Sequence, residues 1–130
     1  LPPPTRRAVV LIDPSYEVKQ DYRQVVQVLD DALRRFAAGT YMLWYPLLAR
    51  PEARALPERL RDLPAESWLD VRMVVREPGP AGLAGMFGSG LFILNPPWTL
   101  PEVLEATLPW LVDVLAQDGA AGFDLEHHIP

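Results

Sequence analysis

Two apolar runs of strand length, joined by a single amphipathic stretch, constrain this chain more than anything else in it. Ala8-Val9-Val10-Leu11-Ile12 is the first run and Tyr41-Met42-Leu43-Trp44-Tyr45 the second, closed by Pro46. Between them Val25, Leu29, Leu33 and Phe36 recur at helical spacing, with Val26 and Ala32 widening the stripe, so a helix is predicted over 21–36. Arg34 and Arg35 suit the negative end of its dipole, and Gly39 is a natural stop. Strand, helix, strand at this spacing is a βαβ unit, with parallel strands and a right-handed crossover. An unbroken apolar strand of this kind is expected to be buried on both faces. Ligands of open α/β sheets collect just beyond the carboxyl ends of such strands. Asp13-Pro14-Ser15-Tyr16 occupies that place.

The rest of the chain extends the unit. A short helix is predicted over 51–63, because Pro51 and Pro57 each favour a first helical turn. Trp68 to Arg76 alternates in part and reads as a strand with one wetter face; Glu77 to Gly90 reads as loop. Leu91-Phe92-Ile93-Leu94 is a further strand, antiparallel to its predecessor because no helix separates them. Gly82 to Gly90 has glycines enough for a phosphate cradle but leads into a strand, so a hairpin-like loop is expected there. Thr99 with Glu102 spells a capping box, opening a helix whose apolar face is Leu104, Leu108, Leu111, Val112 and Leu115, with a break or kink at Pro109. Gly119 and Gly122 lead into a tail. The fold class is α/β, in the order β-α-β-α-β-β-α, as one domain over 1–130 with a mixed sheet.

Composition narrows the function classes. A net charge of −5 argues against a free-standing nucleic-acid binder held by phosphate neutralisation, so positive surface for such a partner must be local or come from elsewhere. With no cysteine, disulfides and Cys-ligated metals are excluded. No apolar run reaches membrane-span length and no signal peptide opens the chain, so the cytoplasm is the expected location. His127 and His128 are adjacent in the tail and cannot face one ligand from a regular element, so no metal is expected.

Asp13-Pro14-Ser15-Tyr16 follows the pattern Asp/Asn-Pro-Pro-aromatic with one departure, and that pattern suits methylation of an exocyclic base amine. Such an amine is a poor nucleophile because its lone pair is delocalised into the ring. A carboxylate and a backbone carbonyl accepting its two N–H groups localise the lone pair toward an electrophilic methyl. Asp13 supplies the carboxylate and Pro14 the carbonyl, with the Pro14 ring fixing φ and holding Asp13 extended. Tyr16 offers a face on which an extruded base can stack. The competing reading is a tight turn, since Asp-Pro starts turns. Asn95-Pro96-Pro97-Trp98 matches the pattern more literally. If its strand is antiparallel to the first, however, it ends at the opposite edge of the sheet, roughly 15 Å away, and reads as a turn into a helix. Glu17, Lys19 and Asp21 are expected to be loop and helix-start residues.

Leu11 to Glu17, Asp21-Tyr22, Arg35 to Tyr41 with Leu43 to Pro46, and Gly88-Ser89-Gly90 with Asn95 to Trp98 together resemble the bacterial 23S ribosomal RNA adenine-N6 methyltransferases. These are S-adenosylmethionine-dependent enzymes with a Rossmann-like fold. The resemblance covers almost the whole chain but only the C-terminal half of the family's catalytic domain. It implies that Asp13 is the catalytic aspartate, lying also against the cofactor, and that Pro14 and Tyr16 fall on the base-binding positions; Pro14, as the second acceptor, is counted with Asp13 as catalytic, and Ser15 with Tyr16 as substrate-binding. Ser15 stands where the family has a second proline. It also implies a 23S rRNA partner, and that the chain alone lacks most of the S-adenosylmethionine pocket and has little or no activity. The alternatives are a non-catalytic α/β interaction module and an amino-methyltransferase acting on DNA or protein.

Overall fold

The structure, a computed structural model, describes residues 2–79 and 85–130. Its elements are β1 (Val9–Ile12), α1 (Lys19–Arg35), β2 (Thr40–Leu47), α2 (Pro51–Arg61), β3 (Trp68–Val74), β4 (Gly88–Leu94), α3 (Leu100–Leu115) and β5 (Gly122–His128). The five strands form one sheet in the order β1-β2-β4-β3-β5. β1 and β2 are parallel, while β4 runs antiparallel to both β2 and β3. The βαβ unit and the antiparallel β3–β4 pair are therefore as the sequence predicts.

Side-chain alternation divides the sheet between two cores. Tyr41, Leu43 and Tyr45 of β2, with Phe92 and Leu94 of β4, face α1 and α2, where Tyr22, Val25, Leu29, Leu33, Leu56 and Leu60 cover them. Each leucine fully buried here contributes about 1.5–3 kcal/mol. On the other face Leu69, Val71 and Ile93 meet α3, which buries only Leu108 completely. The end of α1 is closed from β2: the Tyr41 hydroxyl lies 3.1 Å from the Ala32 carbonyl and 2.8 Å from that of Phe36, engaging carbonyls a helix terminus leaves free.

Five expectations need correction. β1 is not buried on both faces: Val9 and Leu11 are 68% and 67% exposed, because β1 has one neighbour and α3 lies over the far side of the sheet. Pro46 does not close β2 but pairs with Ser89 inside it; pairing with β1 stops at Leu43, so β2 there has a single neighbour and can do without one donor. The Thr99–Glu102 capping box does not form; Thr99 has helical backbone angles and makes no side-chain cap bond. No break occurs at Pro109, which lies inside α3. The tail is a strand: β5 pairs with β3 over its whole length, from Trp68↔His128 to Val74↔Gly122. The stretch Gly82 to Gly90 lies partly outside the described residues, and its last three, Gly88-Ser89-Gly90, begin β4.

Candidate active site

Parallel β1 and β2 point their carboxyl ends to the same edge of the sheet, and Asp13 stands one residue beyond β1 at that edge. Asp13 is exposed and Pro14 half-buried. Among the described residues neither the Asp13 carboxylate nor the Pro14 carbonyl accepts a hydrogen bond, and the carboxylate does not cap α1, whose N-cap residue, Val18, makes no side-chain cap bond. A groove of about 400 Å³ opens beside them. Leu11, Val25 and Val28 form its apolar side, while Asp13, Asp21 and Gln24 provide its polar rim. Two carboxylates at the edge of an apolar groove accept N–H donors and favour a positive centre.

The chain turns sharply after Pro14. Tyr16 has φ 58°, a left-handed conformation uncommon for a bulky residue, and the turn sends its side chain inward. The ring is only 3% exposed. Its centroid lies 4.9 Å from that of Tyr22 and 6.4 Å from that of Trp44, and its hydroxyl donates to the Trp44 carbonyl at 2.7 Å. Burial in the first place, and then the neighbouring Tyr22, Asp13 and Asp21, raise the Tyr16 phenol well above its ordinary range. The expectation that Tyr16 presents an open face to a base is therefore not met in this arrangement. Both faces are taken by core packing, and the residue anchors the turn that carries Asp13 and Pro14. Ser15 is exposed, its hydroxyl 3.4 Å from the Asp21 carboxylate. Asp21, read from the sequence as a helix-start residue, thus joins the rim. The available signal was its place on α1, four and seven residues before Val25 and Val28, on the side that faces β1.

At the opposite edge, Asn95 follows antiparallel β4. Its side-chain amide donates to the carbonyls of Ala37 at 2.8 Å and Gly39 at 2.9 Å. Its backbone N–H donates to Ser67 at 2.9 Å, and its carbonyl accepts from the Thr40 hydroxyl at 2.9 Å. With φ 56° it adopts the left-handed turn conformation that asparagine tolerates better than most residues. The side chain is spent on holding the α1–β2 loop to the end of β4. Asn95 and Asp13 do not share a site.

Against known families, residues 1–127 match the model described as Ribosomal RNA large subunit methyltransferase D, RlmJ. The chain belongs to this family. All 130 residues align with the Ribosomal RNA large subunit methyltransferase J of Haemophilus influenzae at 37% identity and with that of Escherichia coli K12 at 35%. Each alignment covers 46% of the relative, so the chain spans about half the length of the curated relatives it matches. The crystal structure of protein LPL1258 from Legionella pneumophila is similar over 97% of this chain and 45% of that one, with a TM-score of 0.83 and 30% identity. The mixed α/β sheet with its antiparallel β4 is thus the fold of a known relative. Among the described residues no helix is long and apolar enough to cross a membrane, and no group of three His, Cys, Asp or Glu side chains is placed to hold a metal ion.

Proposed function

We propose that this chain is the C-terminal half of the catalytic domain of an enzyme that transfers a methyl group from S-adenosylmethionine to the N6 amine of an adenine in 23S rRNA, acting in the cytoplasm. The observation that carries the proposal is the exposed Asp13 carboxylate, unbonded among the described residues, beside the unbonded Pro14 carbonyl at the carboxyl end of β1. In a chain of this family, two acceptors held free at that position are the parts amino methylation requires. Asp13 and Pro14 accept the two N–H groups of the adenine amine and turn its lone pair outward. The proline ring fixes one torsion, and buried Tyr16 fixes the turn behind it, so the acceptors need no reorganisation when the base arrives. Ser15, exposed between them, is placed to touch the incoming base. Base stacking, which buried Tyr16 cannot offer, has to come from another residue.

S-adenosylmethionine, when bound, supplies an electrophilic methyl carried on a positively charged sulfur. The residues present fit part of its surroundings: Leu11, Val25 and Val28 give an apolar wall, and Asp13 a carboxylate at its rim.

The test is methyl incorporation into naked 23S rRNA, into DNA and into protein, by a protein of the relatives' length carrying this chain and by the 130-residue chain alone. Labelling of 23S rRNA by the longer protein, lost with Asp13→Ala, supports the proposal. Labelling of DNA or protein instead, or full activity with Asp13→Ala, overturns it. Tight binding of the methyl donor by the 130-residue chain in calorimetry overturns the assignment of most of the pocket to residues outside it.

A further inference from the structure

The methyl-transfer reading leaves unused a buried ionic network in the middle of the sheet. Asp70 on β3 is 1% exposed, a wholly buried carboxylate. It accepts from the Tyr45 hydroxyl, and from Arg72 through Nε at 3.1 Å and Nη2 at 2.9 Å; Arg61 Nη2 lies 4.0 Å away and also bonds Glu126. A buried pair of this kind is no better for stability than apolar packing, and often worse. Room has been made for it: a Cβ at Gly90, which pairs with both Tyr45 and Arg72, would lie 2.3 Å from the Tyr45 ring. What the network does is fix one guanidinium. Asp70 holds the Nε–Nη2 side of Arg72, leaving Nη1 and the outer hydrogen of Nη2 as an end-on fork with no partner among the described residues.

Arg72 is part of the lining of a pocket of about 380 Å³ between α2 and the sheet. Leu48, Pro57 and Phe87 contribute apolar walls, and Tyr45 and Arg72 polar ones. Arg54 of α2 brings a second guanidinium to the lining, and Asp124 of β5 a carboxylate; Asp124 is the register partner of Arg72, yet no ion pair joins them among the described residues. Flat apolar walls, a cationic donor fork and a separate carboxylate together suit a planar ring that shows two acceptors along one edge and N–H donors along the next. Guanine has that pattern: O6 and N7 for Arg72, N1–H and the N2 amine for Asp124. Adenine offers a donor beside N7 where the fork needs an acceptor; cytosine sets two acceptors, N3 and O2, side by side but carries its one amine on that same edge, and the two carbonyls of uracil are separated by N3–H. The pocket's lining residues Tyr45, Leu47 and Val74 place it at the carboxyl ends of β2 and β3, the same sheet edge beyond which Asp13 stands. Arg72 stands three inter-strand steps from β1, about 14 Å.

We propose that this pocket takes an unstacked guanine of the RNA substrate, a nucleotide near the target adenine, read by Arg72 and Asp124. The assignment rests on the proposed RNA substrate for its biological sense, but not for its test. Single-stranded RNA is read in this way, base by base, on splayed-out edges.

The experiment is a backbone-amide NMR titration of the 130-residue chain with GMP, AMP, CMP and inorganic phosphate. GMP is expected to shift the amides of residues 45, 47–48, 53–56 and 72–74, with AMP and CMP needing at least tenfold higher concentration and phosphate producing no such pattern. Asp124→Asn, at an exposed position, is expected to weaken GMP at least tenfold with the rest of the spectrum unchanged, and Asp13→Ala to leave GMP binding as it was. Absence of shifts at the pocket, equal response to AMP, reproduction of the shifts by phosphate alone, or an Asp124→Asn chain that binds GMP normally each overturns the inference. A chain that binds GMP here while the longer protein fails to methylate 23S rRNA would keep the pocket and remove the methyl-transfer reading; the converse would do the opposite.

Discussion

The tips of β1 and β4 carry versions of one pattern, Asp/Asn-Pro-Pro-aromatic with Ser15 as the departure in the first, and use it in opposite ways. At the β1 tip the first residue is free and the aromatic is spent: Asp13 is exposed, whereas Tyr16 is buried and bonded to the Trp44 carbonyl. At the β4 tip the first residue is spent and the aromatic is free: Asn95 donates to two loop carbonyls, whereas Trp98 is 81% exposed. Each tip contains one residue with positive φ, but at a different place, Tyr16 in one and Asn95 in the other. The left-handed residue is the anchored residue in both. Which member of such a string is available for chemistry therefore follows from where the chain turns, and the letters alone do not settle it.

The widest gap between the tips should show in catalysis. In the longer protein, Asp13→Ala is expected to lower methyl incorporation by about 10²–10³-fold, the usual scale for losing one pre-positioned polar group, with an unchanged thermal midpoint. Asn95→Ala should leave the rate per folded molecule within twofold of the parent. Equal losses at both positions would erase the distinction.

Alkaline titration comes next, because the β1 tip ends in a tyrosine and the β4 tip does not. Burial raises the phenols of Tyr16, Tyr22, Tyr41 and Tyr45 above their ordinary 10.0. The fold accepts the neutral phenol, so this stabilisation is whole below pH 10.0 and is lost as pH rises from there through the folded values. Tyrosinate absorbance should consequently appear together with loss of helical circular dichroism. Tyrosinate forming near pH 10 in a chain that stays folded would contradict the burial of these phenols, and its loss with Tyr16→Phe would trace it to the β1 tip.

Stability separates the tips in the reverse sense to catalysis. Asn95→Ala strands two loop carbonyls and puts a Cβ-bearing residue without a polar side chain at φ 56°, for a loss of about 2 kcal/mol in chemical denaturation. Asn95→Gly should recover the part due to backbone conformation. Tyr16→Phe removes one hydrogen bond and keeps the ring, so about 1 kcal/mol is expected. Trp98→Ala should change stability by less than about 0.5 kcal/mol, as for other exposed substitutions without partners. A larger Trp98 effect would mean the β4 tip is packed against something after all.

Sequence reasoning reaches some of these features and stops short of others for definable reasons. The βαβ unit was legible because Val25, Leu29 and Leu33 keep a helical period between two unbroken apolar runs. The location of Asp13 followed from it. β5 escaped notice because only Phe123 and Leu125 mark its apolar side, and Asp124, Glu126 and His128 on the other side look like a solvated tail. It becomes a strand through pairing with β3, a long-range contact that no local pattern reports. The exposure of Val9 and Leu11 escaped for a similar reason: a run of β-branched residues states that a strand forms, not how many neighbours it has. The burial of Tyr16 is not legible in the sequence because its orientation hangs on one backbone angle. Ordinary residue preferences speak against that angle, and it is recovered through packing on Tyr22 and Trp44. Asp70 sits between Leu69 and Val71, where an alternating pattern reads it as a wet-face residue. Only the tertiary fold reveals it as the most buried charge among the described residues.

Gly90 links positions that sequence drift would otherwise visit one at a time. Any larger residue there collides with the Tyr45 ring, and shrinking Tyr45 first would leave Asp70 without its phenol partner. Viable divergence at this spot has to pass through a paired replacement, or through prior loss of the acid. The three positions should thus be inherited as a unit across natural variants, and grafting any one of them between relatives should fail where transferring all three succeeds.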